Sequence, residues 1–342
     1  MREVYRILDA NFNRAREALR VAEDCGRFAL NDPAITAMAK NLRSELVEVL
    51  SALPANELIT SRDTPGDIGT ELTSPTEGKR QDLAEVATVA CKRLSESLRT
   101  IEEYGKFVAS EQVTRVERMR YDAYTLEQRL SQRLMAGKRF AGAKLYVLVT
   151  STMCKGSLRE TARGAIAGGA DVIQLRETNV TDDIMLALAA ELRELTDEMS
   201  KLLIINNRCD IAALVAADGV HLGQSDLPIP EARKMLRPGA IVGKTVRNVD
   251  HARAAVNEGA DYLSIGPIFK TTTKESLVPM GVEAITQVAN ATSLPLVAIS
   301  GITAENAKEV IQAGADCVAV CSAVCGTEDP RAAAQAIVKQ FD

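Results

Sequence analysis

From Ala143 onward the chain alternates eight times between a short β-rich apolar run and a helical stretch. The runs are Ala143-Lys-Leu-Tyr-Val-Leu-Val-Thr150, Val172–Glu177, Leu202–Asn206, Gly219–Gly223, Ile241–Val246, Tyr262–Gly266, Leu294–Ser300 and Cys317–Ser322. Helical patterns between them include Asp183–Glu198, Asp250–Glu258 and Ala304–Ala313, the last closed by a glycine suited to a helix C-terminus. Strict alternation implies parallel strands, and eight of them favour a closed (β/α)8 TIM barrel over residues 143–342. The phrases Gly168-Gly-Ala-Asp, Glu258-Gly-Ala-Asp and Ala313-Gly-Ala-Asp precede strands two, six and eight and read as repeated helix-to-strand connections.

In such a barrel the chemistry sits at the C-terminal ends of the strands, and the polar residues of this chain gather there. Strand two ends in Gln174-Leu-Arg176-Glu177, strand three in Asn206-Asn207-Arg208, strand four in His221-Leu-Gly-Gln224-Ser-Asp226 and strand five in Gly243-Lys-Thr245. Strand six runs into Gly266-Pro-Ile-Phe-Lys-Thr-Thr-Thr-Lys274, which sets three hydroxyls and an ammonium directly after an apolar strand, an oxyanion-binding loop. Strands seven and eight end in Ser300-Gly301-Ile302 and Cys321-Ser322-Ala323, where such barrels commonly hold a phosphate on backbone N–H groups.

At 342 residues the chain exceeds one such barrel, so a second domain is expected. Residues 1–138 carry an internal repeat: Arg14, Glu17, Leu19, Arg20, Glu23, Gly26 and Phe28 recur as Arg93, Glu96, Leu98, Arg99, Glu102, Gly105 and Phe107. Each copy precedes a further helical run, Pro33–Leu53 or Gln112–Leu134, giving an all-α domain of two related helical hairpins. The Arg/Glu ladder reads as a solvated or interhelical salt-bridge stripe, or as a pair of pseudo-symmetric sites for an anion. A long loop, Glu57–Gly78, joins the halves, and Met135–Gly142 reads as a linker before the barrel.

An apolar fraction of 46% can fill a core, and a net charge of −5 argues against nucleic-acid binding. No apolar stretch reaches membrane-spanning length and no signal-peptide core follows Met1, so a cytoplasmic protein is expected. The seven cysteines form no C-x-x-C pair and read as reduced structural thiols, Cys317 and Cys321 sharing one strand face. Of the two histidines, His221 lies in a strand as a hydrogen-bonded core residue and His251 at an exposed helix start.

Taken together, Gln174-Leu-Arg-Glu, Ile205-Asn-Asn-Arg, Gly219-Val-His-Leu-Gly-Gln-Ser-Asp226, Gly266–Lys274 and Ile299-Ser-Gly-Ile-Thr303 resemble the thiamine-phosphate synthase family in order over residues 143–340. The N-terminal part resembles the helical extension of some long-form members. The resemblance implies condensation of 4-amino-5-hydroxymethyl-2-methylpyrimidine diphosphate with 4-methyl-5-(2-hydroxyethyl)thiazole phosphate, giving thiamine phosphate and pyrophosphate by a dissociative route with Mg²⁺. It implies that Arg176 and Lys274 hold the diphosphate as catalytic cations, Gln174 and Asn206 orient the pyrimidine, and Thr245 places a hydroxyl near the diphosphate. Thr271, Thr273, Gly301, Cys321 and Ser322 would grip the thiazole phosphate, with Leu175, Glu177, Thr178 and Thr272 completing the substrate-binding set. Asp226 and Asn207 would be the metal ligands. Two positions depart from the family pattern: Asn207 stands where Asp is common, and Thr178 where Lys is common, a missing cation that Lys244, Arg208 or Arg247 would have to replace. Alternatives are a TenI-like thiazole tautomerase using His221 as acid–base group, and a non-catalytic barrel binding thiazole or thiamine phosphate. The partners implied are small-molecule substrates, with oligomeric state open, a homo-oligomer included.

Overall fold

The computed structural model describes residues 1–68, 79–270 and 278–342. It divides into two compact units, Met1–Met135 and Ala136–Asp342.

The first unit is helical: α1 (Arg2–Asp24), α2 (Pro33–Ser51), α3 (Ala55–Thr60), α4 (Leu83–Gly105) and α5 (Val113–Phe140), the last running past its end. Helix α1 buries Leu8, Phe12, Ala15, Leu19 and Ala22, a three-to-four spacing that lines one face. Helix α2 starts sharply because Asp32 accepts from the N–H groups of Ala34 and Ile35 and Pro33 occupies the first turn. The charged ladder divides in the same way in both copies. Arg14, Glu17, Arg93 and Glu96 are exposed, whereas Glu23 and Glu102 are buried. Glu23 accepts from Arg43 of α2 at 2.9 Å and Glu102 from Arg120 of α5 at 2.9 Å. The ladder is therefore solvated at one end and interhelical at the other.

The second unit is a closed barrel of eight parallel strands in sequence order: β1 (Leu145–Val149), β2 (Val172–Leu175), β3 (Leu202–Asn206), β4 (Gly219–Leu222), β5 (Ile241–Val246), β6 (Tyr262–Ile265), β7 (Leu296–Ile299) and β8 (Cys317–Val320). Strand β8 returns to β1 through Tyr146↔Ala319. Alternation sorts the side chains, since period two sends neighbours to opposite faces. Ile173, Leu175, Leu203, Ile205, Val220, Val242, Leu263 and Val318 pack in the outer core with the helices. Tyr146, Leu148, Val172, Ile204, Ile241, Tyr262, Val297 and Cys317 fill the inside. The expected linker is a correction: the chain is helical as far as Phe140, whose buried ring stacks on Tyr262 with centroids 4.1 Å apart and planes within 3°. Burial of that aromatic against the barrel interior holds the segment in order.

The recurring Gly-Ala-Asp turns acquire a physical reason at the N-terminal ends of the strands. Asp171, Asp261 and Asp316 each accept the backbone N–H that opens an adjacent strand, from Lys144 (2.9 Å), Val242 (2.7 Å) and Leu296 (2.8 Å). Asp218, before β4, does the same for Leu203 at 2.9 Å. The aspartates before the four even-numbered strands thus pin the four odd-numbered ones. Arg193 and Arg233 neutralise Asp218 and Asp261.

Candidate active site

Opposite those turns, at the C-terminal ends of the strands, lies a cavity of about 640 Å³. Gln174, Arg176, Thr178, Asn206, Asn207, Asp226, Thr245, Gly301, Cys321 and Ser322 all line it, so residues singled out at six separate strand ends share one space. Two more residues of that set sit elsewhere. Leu175 is fully buried in the outer core, because it neighbours the inward Gln174. Glu177 accepts from the N–H and hydroxyl of Ser151 at 2.6 and 2.7 Å and so fastens the loop after β1. Thr271, Thr272, Thr273 and Lys274 lie outside the described residues. The start of their loop is tied to β7: Ile268 N–H donates to Ile299 and Phe269 N–H to Ser300, at 3.0 and 3.1 Å.

Arg176 forms no ion pair among the described residues. The acids nearest in sequence are engaged otherwise, Asp171 with Lys201 at 2.8 Å and Glu177 with Ser151. The thiol of Cys321 is held below its usual range, first by the Cys325 thiol beside it and also by the positive charge of Arg176. Gln174 is 2% exposed, yet its Nε2 has no hydrogen-bond partner among the described residues. A buried amide donor left unmatched costs about 1–3 kcal/mol unless something in the cavity accepts from it.

Asp226 combines two functions, since its Oδ2 accepts from Gly223 N–H at 2.6 Å, stiffening the turn, while the residue also lines the cavity. Asn207 holds a left-handed backbone at φ 62°, a conformation asparagine tolerates, with its N–H donating to the His221 carbonyl at 2.9 Å. Gly301, at φ 70°, approaches the Lys270 carbonyl so closely that a Cβ would lie 2.6 Å from it. Asn306 straps that loop, donating to Gly301 O at 2.9 Å and accepting from Thr303 N–H at 2.8 Å, which delays the following helix to Ala307–Gln312.

Of the candidate replacement cations, Arg208 is committed to Asp182 and Asp210, each at 2.6 Å. Lys244 does not line the cavity, whereas Arg247 does and has no ion pair among the described residues. Sequence reasoning missed Tyr146, Tyr262 and Ser264 as cavity residues. Their inward strand positions are a signal shared with ordinary core residues, so nothing local distinguishes them. His221 lines the cavity too, hydrogen-bonded through both ring nitrogens, and His251 is exposed, 2.6 Å from Gln224.

Fold and cavity together define a (β/α)8 barrel with a cation-, amide- and hydroxyl-lined cavity at the C-terminal ends of its strands. Comparison with known proteins sharpens that class. The family model described as thiamine monophosphate synthase matches residues 145–324, and that of the ThiD2 family matches residues 6–129. The chain is 40% identical over 341 residues to the thiamine-phosphate synthase of Nostoc sp., covering 99% of this chain and 94% of that protein. It is 37% identical to the one from Rhodopirellula baltica, covering 94% and 88%. The solved thiamine phosphate pyrophosphorylase of Pyrococcus furiosus superposes with a TM-score of 0.55 at 37% identity, over 59% of this chain and 96% of that one. The chain belongs to the thiamine-phosphate synthase family. No helix among the described residues is long and apolar enough to cross a membrane.

Proposed function

We propose that the barrel joins 4-amino-5-hydroxymethyl-2-methylpyrimidine diphosphate to 4-methyl-5-(2-hydroxyethyl)thiazole phosphate, forming thiamine phosphate and releasing pyrophosphate. The observation that carries this reading is one cavity that holds both Arg176, without an ion pair among the described residues, and the Gln174 amide, whose Nε2 has no hydrogen-bond partner among them. A diphosphate leaving from a methylene carbon takes the bonding electron pair with it. Two demands follow: stabilise the departing anion and keep water off the carbocation.

Arg176 answers the first demand as a fixed cation with a fork of donors. Arg247 supplies the cation absent at Thr178, and the Thr245 hydroxyl adds a donor. Gln174 and Asn206 meet the polar edge of the pyrimidine, and Ser300–Thr303 with Cys321 and Ser322 form the wall for the thiazole phosphate. Lys274 and the threonines Thr271–Thr273 belong to the same proposal through the sequence resemblance alone.

The donor set fits a magnesium ion that is carried largely by substrate. Among the described residues no cluster of three or more His, Cys, Asp or Glu could hold a metal, but Mg²⁺ commonly takes one or two carboxylates together with phosphate oxygens and water. Asp226 and Asn207 would hold it, and when bound it would neutralise diphosphate oxygens.

The tautomerase reading needs an acid–base group over the thiazole ring. His221 is engaged at both nitrogens, by Tyr262 and Thr245, each at 2.9 Å, which favours the synthase. The test is to mix both substrates with Mg²⁺ and follow pyrophosphate and thiamine phosphate. Stoichiometric appearance of both is expected; isomerisation of the thiazole phosphate alone, or binding without turnover, would overturn the proposal.

A further inference from the structure

Across the barrel interior runs a chain of hydrogen bonds that the roles above leave unused. The hydroxyls of Tyr146 and Tyr262 are 3.0 Å apart, that of Tyr262 is 2.9 Å from His221 Nδ1, and His221 Nε2 is 2.9 Å from Thr245 Oγ1. The chain is held rigidly. Phe140 stacks on the Tyr262 ring, the His221 ring lies 5.6 Å from it at 25°, and a Cβ on Gly243 would fall 2.0 Å from Tyr262 Cζ. Only glycine at 243 leaves the phenol its place.

Counting protons fixes the direction of this chain. Burial pushes the ionisation of both phenols far above the usual tyrosine range, so each keeps its single proton. Tyr146 is 2% exposed, and among the described residues the Tyr262 oxygen is the one acceptor within reach of its hydroxyl. Among the described residues that leaves Tyr146 donating to Tyr262, since a buried hydroxyl left without an acceptor costs about 1–3 kcal/mol. Tyr262, equally enclosed, passes its own proton toward His221 Nδ1, which must be bare to accept. A neutral imidazole bare at Nδ1 carries its hydrogen on Nε2, and that N–H donates to the oxygen of Thr245. The reverse order leaves the Tyr146 proton stranded. An imidazolium would strand one phenol proton as well, because Nδ1–H would then claim the Tyr262 oxygen.

The geometry points to Tyr262, backed by Tyr146, as a positioning residue that locks His221 in its Nε2–H tautomer and thereby turns the hydroxyl proton of Thr245 into the cavity as a donor. Thr245 lines the cavity and has no acceptor for that proton among the described residues. The group it serves is an acceptor oxygen on the substrate; on the synthase reading, on which this part of the inference rests, that is an oxygen of the departing diphosphate. A donor aimed in advance costs no reorganisation as charge develops.

Nitrogen NMR of the full-length protein, labelled in histidine, reads the tautomer without any turnover. His221 is expected neutral with its proton on Nε2; a proton on Nδ1, or on both nitrogens, overturns the inference even if the synthase reaction proceeds. Kinetics supply the second arm. Tyr262→Phe is expected to lower kcat about tenfold, the scale of one weakened oxyanion donor, with KM for the thiazole phosphate unchanged within about twofold and a mixed tautomer signal. In a Thr245→Val background, where the hydroxyl is gone, the same change should cost less than about twofold, because residues acting through one group are not additive. Equal losses in both backgrounds would show that Tyr262 acts otherwise. If no synthase activity is found at all, the NMR measurement alone still decides the tautomer.

Discussion

In the helical unit Asp9, Glu23, Asp32 and Glu102 each meet an arginine, with Arg62 at 2.6 Å, Arg43 at 2.9 Å, Arg133 at 3.1 Å and Arg120 at 2.9 Å. At the mouth of the barrel, Arg176 and Arg247 face a cavity without an ion pair among the described residues, and the Gln174 amide is buried with no partner there. The first arrangement balances its own charge and has little left for a ligand. The second leaves donors unmatched, which lowers stability unless something bound supplies the acceptors. Where the polar groups satisfy one another they hold the chain together; where the described residues leave them open, the proposed anion would find its donors.

Substitutions on the two sides should therefore separate stability from turnover. The largest effect is expected for Arg176→Ala: a fall in kcat of about a hundredfold to a thousandfold, the scale of one missing oxyanion partner, with the thermal midpoint unchanged. An unchanged rate would remove Arg176 from the chemistry. Next comes Asp32→Ala, which takes a carboxylate from buried Arg133 and the cap from α2 together. It should destabilise the helical unit by about 3 kcal/mol, read as a lower urea midpoint; a midpoint that stays put would mean the pair contributes nothing.

Smaller effects sharpen the mouth itself. Arg247→Ala is expected to raise KM for the pyrimidine diphosphate about tenfold, in line with one charge-assisted contact. Adding Thr178→Lys to that variant should recover most of the loss, whereas no recovery would place the required cation elsewhere. Asn207→Asp should lower the Mg²⁺ concentration for half-maximal rate about threefold, since a charged oxygen suits a hard cation better than an amide. A superimposable Mg²⁺ titration would put residue 207 outside the coordination shell.

The barrel was legible because its signals are local. Each strand is a short apolar run, and the polar residues at its end follow within a few positions, so Gln174, Arg176, Asn206, Asp226 and Thr245 could be named from the sequence and do line one cavity. The Gly-Ala-Asp turns were visible as a repeat, but their purpose, an aspartate accepting from the strand next door, depends on which strands are neighbours. The tyrosine–histidine–threonine chain was hidden for the same reason: Tyr146 and Tyr262 are 116 residues apart and look like ordinary interior aromatics. Likewise the repeat displayed the charged ladder without showing that Glu23 and Glu102 alone turn inward. The helix after β7 begins at Ala307, later than its pattern suggested, because Asn306 captures the preceding loop.

The most direct test is a crystal structure of the full-length protein soaked with Mg²⁺ and pyrophosphate. The anion is expected inside the cavity after β2, β4 and β5, with its oxygens on Arg176 and Arg247 and the metal beside Asp226. Pyrophosphate bound away from Arg176, or found only against the helical unit, would contradict it.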